Sequence, residues 1–121
     1  MRDWNDSEPI YLQLKDLVLK QIMLGTLLEG EPIPSVRQVA GQERINPITV
    51  SNAYQILVEE GLLEKHRGVG MFVCVGAQSK ALDREQQRFL HEEWPAVLDR
   101  IALLGLKADV LLANLNPGPS R

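Results

Sequence analysis

A single cysteine, Cys74, stands among 121 residues, so no internal disulfide can form, in keeping with a reducing compartment. No apolar run approaches the roughly 20 residues needed to span a bilayer. Near the N-terminus Asp3 and Trp4 directly follow Arg2, which is neither the basic nor the apolar stretch of a secretion signal. A cytoplasmic location with no membrane partner is therefore expected. The chain is too short for a separate catalytic domain beside an ordinary one. Two histidines and one cysteine are scattered without metal-ligand spacing, and neither a phosphate-cradling loop nor a nucleophile motif occurs. The pairs Glu59-Glu60 and Glu92-Glu93 are sequence neighbours that point to different helix faces, so they are solvated charges rather than an acid/base pair. These absences argue against an enzyme and imply no cofactor.

A surplus of positive charge is missing too: 13 Lys and Arg face 16 Asp and Glu, a net charge of −3. Up to Gly76 seven cationic residues oppose ten acidic ones, and the remainder is balanced, six against six. For a protein that binds nucleic acid this is awkward, because cations neutralising phosphates supply much of the affinity. Placement compensates if Arg37, Arg44, Lys65, His66 and Arg67 gather on one face.

What is present is helical periodicity cut by breakers. Ile10, Leu14, Leu17, Val18 and Ile22 predict a helix over residues 9–24, with Pro9 suited to its first turn and Gly25 to its stop. Gly25, Gly30, Pro32 and Pro34 mark a loop. Ser35 and Gln38 have capping-box spacing, which predicts a second helix over residues 36–42 that buries Val36, Val39 and Ala40. Asn46-Pro47 starts a third, a capping side chain followed by a proline whose missing N–H is harmless there. That helix ends before Gly61; Val50, Ala53, Tyr54 and Leu57 form its apolar face, and Ile48, Thr49, Ser51, Asn52 and Gln55 lie on or near the other. Two helices so joined form a helix-turn-helix.

Residues 62–66 and 71–75 read as strands around Arg67-Gly68-Val69-Gly70, a wing whose tip carries the densest positive charge. Cys74 reads as a small buried or edge residue of the second strand rather than a redox sensor. Beyond Gly76 the apolar stripe Leu82, Phe89, Leu90, Trp94, Val97, Leu98, Ile101 and Leu104 predicts a helix over residues 79–104, kinked or divided at Pro95. A last helix over residues 107–115 would bury Val110, Leu111 and Leu115 before Pro117-Gly118-Pro119 ends order. The expected fold class is mainly α with a small β-hairpin: a winged helix-turn-helix domain over residues 1–76, then a helical region over residues 77–121.

Several segments in order resemble the N-terminal domain of the GntR family of bacterial regulators: Pro9, Tyr11 and Gln13; residues 25–30; Pro34-Ser35-Val36-Arg37-Gln38-Val39-Ala40; Asn46-Pro47-Ile48-Thr49-Val50; Ala53-Tyr54 and Leu57; Glu60-Gly61-Leu62; and Arg67-Gly68-Val69-Gly70-Met71-Phe72-Val73. The short tail is similar to that of the YtrA subfamily, in which a helical appendage serves dimerisation. The resemblance implies a transcriptional regulator with DNA contacts at Arg37, Asn46, Pro47, Thr49, Arg67 and Gly68. Residue chemistry agrees, since an Arg fork suits phosphate or guanine, Asn and Thr reach phosphate or base edges, and Gly allows close backbone approach. Ser35, Arg44, Ile48, Ser51, Asn52, Lys65 and His66 complete the candidate DNA-binding set. Two departures stand out. Glu43-Arg44 replaces a frequent Leu-Gly, implying either a different turn or an extra basic contact, and Ile48 replaces a frequent polar residue, implying apolar readout of a thymine methyl.

About 26 helical residues at roughly 1.5 Å each reach some 39 Å, more than a small winged domain covers. A two-fold homodimer is therefore expected, with Leu82, Phe89, Leu90, Trp94, Val97, Leu98, Ile101 and Leu104 at its interface. The expected partners are double-stranded operator DNA and a second copy, with no evident site for a small-molecule effector. The alternative reading, favoured by the acidic balance, is a winged-helix protein-interaction module without specific DNA binding.

Overall fold

Local chemistry starts and stops each helix. The computed structural model describes residues 3–114, so the expectations for Leu115 and for Pro117-Gly118-Pro119 lie outside the described residues. The first helix, α1 (Ile10–Leu24), is entered through Pro9, which is its cap rather than its first residue, and is stopped by Gly25 in the left-handed region at φ 80°. Gln13 clamps the preceding segment: its Nε2 donates to the carbonyls of Asn5 and Glu8, and its Oε1 accepts from the Asn5 N–H. In α2 (Val36–Glu43) the predicted capping box is realised, with the Gln38 N–H donating to Ser35 Oγ at 3.0 Å and the Ser35 N–H to Gln38 Oε1 at 2.9 Å. Val36 is only half-buried, because the first turn of α2 stands at the edge of the core. In α3 (Pro47–Glu59) Asn46 Oδ1 accepts from the Ile48 N–H and Pro47 sits in the first turn.

The inner face of α3 closes the core. Val50, Ala53, Tyr54 and Leu57 are at most 2% exposed and belong to one cluster with Leu14, Val18 and Ile22 of α1. Each buried Val, Leu or Ile side chain among them contributes about 1.5–3 kcal/mol. Tyr54 carries a hydroxyl into this interior and satisfies it by donating to the Pro34 carbonyl at 2.7 Å, while burial pushes its phenol up to about 12.

Between α2 and α3 the chain reverses through Arg44, at φ 56° and ψ 49°, the one non-glycine among the described residues with positive φ. The N–H groups of Arg44 and Ile45 both donate to the Ala40 carbonyl. Of the two alternatives for Glu43-Arg44, a changed turn is therefore unnecessary: arginine adopts the conformation that glycine takes more readily.

The wing consists of β1 (Leu63–His66) and β2 (Gly70–Val73), antiparallel with Glu64 opposite Phe72 and Lys65 opposite Met71. Residues 62, 74 and 75 fall outside the strands, so Cys74, half-buried, follows β2 rather than belonging to it. Leu62 is buried before β1, whereas Val75 is exposed, because the backbone turns after β2 with the Ala77 N–H bonded to the Cys74 carbonyl. The loop after α1 adds an unexpected third edge. Gly30 N–H donates to the Val73 carbonyl, Val73 N–H to the Glu31 carbonyl and Ile33 N–H to the Met71 carbonyl. These bonds cover one side of β2.

The next helix, α4 (Ala77–Arg88), starts two residues earlier than expected because Ala77 is buried in the same core, as is Ala81. Its N-terminus is capped from afar: Glu29 accepts from the N–H groups of Gly76 (2.8 Å) and Gln78 (2.9 Å), and these bonds hold its carboxyl below the ordinary carboxylate range. The Gln78 side chain donates to the Met23 carbonyl at the end of α1. The chain accordingly divides into two compact units after Asp83, beyond Gly76.

From Arg84 onward the helix passes through a π turn (Phe89–Glu93) into α5 (Trp94–Leu103), and α6 (Ala108–Ala113) follows. The division expected at Pro95 lies just ahead of it, as the π turn that separates α4 from α5. The Trp94 N–H reaches back five residues to the Phe89 carbonyl, and Pro95 follows in the first turn of α5. The rings of Phe89 and Trp94 stack with centroids 6.3 Å apart. No residue of the π turn, α5 or α6 is buried. Val110 and Leu111, expected in a core, are exposed, since consecutive apolar residues on so short a helix point around it. Among the described residues no helix is long and apolar enough to cross a membrane.

Two variants test this packing. Tyr54→Phe should lose about 1 kcal/mol at neutral pH by orphaning the Pro34 carbonyl. Because the folded phenol titrates above the unfolded one, the advantage of wild type is complete below pH 10 and disappears as pH rises through about 12, which urea unfolding of both proteins at each pH would reveal. Arg44→Gly should raise stability by about 0.5–1 kcal/mol, the left-handed penalty less the added chain entropy.

Candidate nucleic-acid interface

The capped starts of α2 and α3 and the turn between them form one continuous stretch of surface. Arg37 is exposed on α2 and lines an open hollow together with Val36, Ala40, Gly41, Ile45 and Pro47, so it stands next to the start of α3. Ser35 and Asn46 are exposed, but their side-chain oxygens already serve as caps. What each offers outward is limited to the remaining hydroxyl proton or amide group. Ile48 is 66% exposed at the first turn of α3, Ser51 and Asn52 are exposed one turn later, and Thr49 is half-buried beside them. Tyr54 points inward and takes no part. The turn through Arg44 presents its side chain to solvent between the two helices.

In the wing, Lys65, Arg67 and Gly68 are exposed, and the Val69 N–H closes the turn by donating to the His66 carbonyl at 2.9 Å. Gly68 occupies φ 75°, a conformation that a side chain at this turn position would strain. His66 is held differently from its neighbours. Its ring stacks on Phe72 with centroids 4.1 Å apart, and its Nε2 lies 2.7 Å from Glu64 Oε2. The imidazole, and after it the Cys74 thiol, hold the Glu64 carboxyl below its ordinary range. Burial, followed by the Glu64 carboxylate, pushes the Cys74 thiol up, which leaves it a poor nucleophile.

Asp16 pairs with Lys15, Glu64 with His66, and Glu29 caps α4. Arg37, Arg44, Lys65 and Arg67 form no ion pair with another described residue. An unpaired guanidinium or ammonium keeps its full capacity to bind phosphate. The sequence offered no signal for the Glu29 cap, whose partners lie 47 and 49 residues away. It also left Val69 unassigned, although this residue is 74% exposed at the wing tip.

In the second unit Phe89, Leu90, Val97, Leu98 and Leu104 are exposed, as is Leu82 just ahead of it, and Trp94 and Ile101 are half-buried. Among the described residues no group of His, Cys, Asp and Glu could hold a metal ion.

Residues 10–73 match the family model described as bacterial regulatory proteins, gntR family. The HTH-type transcriptional regulator YhcF of Bacillus subtilis is 30% identical over 112 residues, covering 93% of this chain and 91% of YhcF. The repressor YtrA of the same organism is 35% identical over 81 residues, 67% of this chain and 62% of YtrA, so the match spans less than two thirds of that protein. The crystal structure of a transcriptional regulator from Oenococcus oeni superposes with a TM-score of 0.76 at 30% identity, covering 89% of this chain and 88% of that one. The DNA-binding domain of AraR in complex with operator ORR3 superposes with a TM-score of 0.53 at 30% identity, covering 61% of this chain and 93% of that one. With its capped helix pair, its wing and these likenesses in agreement, the chain belongs to the GntR family of transcriptional regulators and carries that family's winged helix-turn-helix.

Proposed function

We propose that the chain is a homodimeric, sequence-specific DNA-binding repressor that acts in the cytoplasm on an inverted-repeat operator and catalyses no reaction. The observation that carries this reading is the set of exposed cations, Arg37, Arg44, Lys65 and Arg67, that have no ion-pair partner among the described residues, on the helix pair and wing of a chain whose net charge is −3. Two repressors or operator-bound domains among its relatives, YtrA and AraR, support it. α3 enters the major groove by its first two turns, where Thr49, Ser51 and Asn52 offer hydrogen bonds and Ile48 offers apolar contact with a thymine methyl. Arg37 and Arg44 hold flanking phosphates, with the N-terminus of α3 adding its own attraction for anions. The wing tip, Lys65, Arg67 and Gly68, approaches the neighbouring backbone or minor groove, and His66 stiffens it.

Pairing follows from the second unit. Leu82, Phe89, Leu90, Trp94, Val97, Leu98, Ile101 and Leu104 gain cover in an isologous interface, and an inverted repeat offers the two α3 helices major grooves about 34 Å apart, one turn of duplex. A winged domain bound to half a site gains little alone, whereas two linked copies gain avidity.

Binding to duplexes enriched from a random pool, measured at several salt concentrations, tests the whole reading. Arg37→Ala and Arg67→Ala should each weaken binding by about 1–3 kcal/mol and flatten the salt dependence by about one charge. Arg44→Gly should weaken binding while stabilising the fold, which separates the two roles of that residue. Leu98→Glu should yield a monomer by sedimentation, with affinity for the full operator reduced about 100-fold or more. A particle that is already single at high concentration, or one that enriches no sequence, would sink the proposal.

A further inference from the structure

We propose that Val69 enters the minor groove beside each half-site and makes the wing select A·T over G·C pairs there. This deepens the DNA-binding reading above and rests on it. Val69 is 74% exposed, a β-branched side chain at the apex of a tight turn where a polar residue serves the fold as well. It is nonetheless fixed in place. Its N–H donates to the His66 carbonyl, and it stands between Gly68 at φ 75° and Gly70 at φ 147°.

A Cβ built on either glycine meets no atom within 4 Å, so the tip is narrow and stands clear of the rest of the protein. The His66 ring is drawn back onto Phe72 and Glu64, leaving Arg67, Gly68 and Val69 as the leading edge. Arg67 brings to that edge a cation with no ion pair among the described residues. Such a tip fits a groove about 6 Å wide, which no helix can enter. On the floor of that groove A·T pairs show acceptors only, while G·C adds the guanine amino donor. An isopropyl group pressed against that amine removes its water and returns no hydrogen bond. Arg67 meanwhile gains from the narrow groove and stronger negative potential of A·T-rich duplex.

The test uses duplexes enriched from a random pool by the full chain. Pairs flanking each half-site are replaced in turn by G·C, by inosine·C, which lacks the minor-groove amine, and by 2,6-diaminopurine·T, which adds one. Wild type should lose roughly tenfold in affinity with G·C and with 2,6-diaminopurine·T, and recover with inosine·C. Val69→Ser, whose hydroxyl accepts from the amine, should bind all four duplexes within about twofold of one another, with unchanged thermal unfolding. If inosine·C behaves as G·C does, or if Val69→Ser keeps the wild-type pattern, the assignment to Val69 falls while specific DNA binding stands. If the pool yields no enriched sequence, both fall.

Discussion

Val50, Ala53, Tyr54 and Leu57 are sealed against the aliphatic face of α1, and the rest of the N-terminal unit is arranged around that contact. A helix with one face fully buried has only the other to offer, and the first turns of α3 offer it without competing for core space. Tyr54 makes the contact specific rather than merely apolar. Its hydroxyl has to find an acceptor inside the protein, and it finds the Pro34 carbonyl, at the end of the loop that leads into α2. The position of α2 relative to α3 is thereby tied to the packing of α3 itself.

Charge follows the same logic of engagement and release. An acidic chain can still present cations at one surface, and two of the acids nearest to that unit's helices and wing are engaged, Glu29 as a cap and Glu64 with His66. Net charge governs long-range behaviour such as solubility and steering, whereas affinity for a duplex comes from cations within reach of phosphate. The value of −3 therefore says little about the surface that carries Arg37 and Arg67.

The helix pair was legible from the residues because its determinants are local. The capping box of Ser35 and Gln38, the Asn46-Pro47 start and the spacing of Val50, Ala53, Tyr54 and Leu57 each act within one or two turns. The wing was legible for the same reason, through Gly68 and its strand neighbours. What escaped depends on contacts across long stretches of chain. The pairing of residues 30–33 with β2 and the Glu29 cap join segments some forty residues apart, and no periodicity announces them. The burial of Val110 and Leu111 was misjudged because pattern alone gives an apolar face, not the surface that covers it. At Arg44 residue identity pointed away from a left-handed turn, yet the preceding and following helices impose one.

The π turn at Phe89–Glu93 has a consequence for how the tail's pattern should be read. A π turn spends one residue more than an α-helical turn, so everything after it falls about 100° behind its α-helical phase. Leu90 and Val97, seven apart and nominally in register, therefore lie on different sides of the rod. Any count of heptads across this point overstates the continuity of the seam. Loss of a single residue between Phe89 and Glu93 would let this turn close as an ordinary α-helix with the greasy surface of α5 still facing the same way, whereas an added residue elsewhere in the rod would swing it by about 100°.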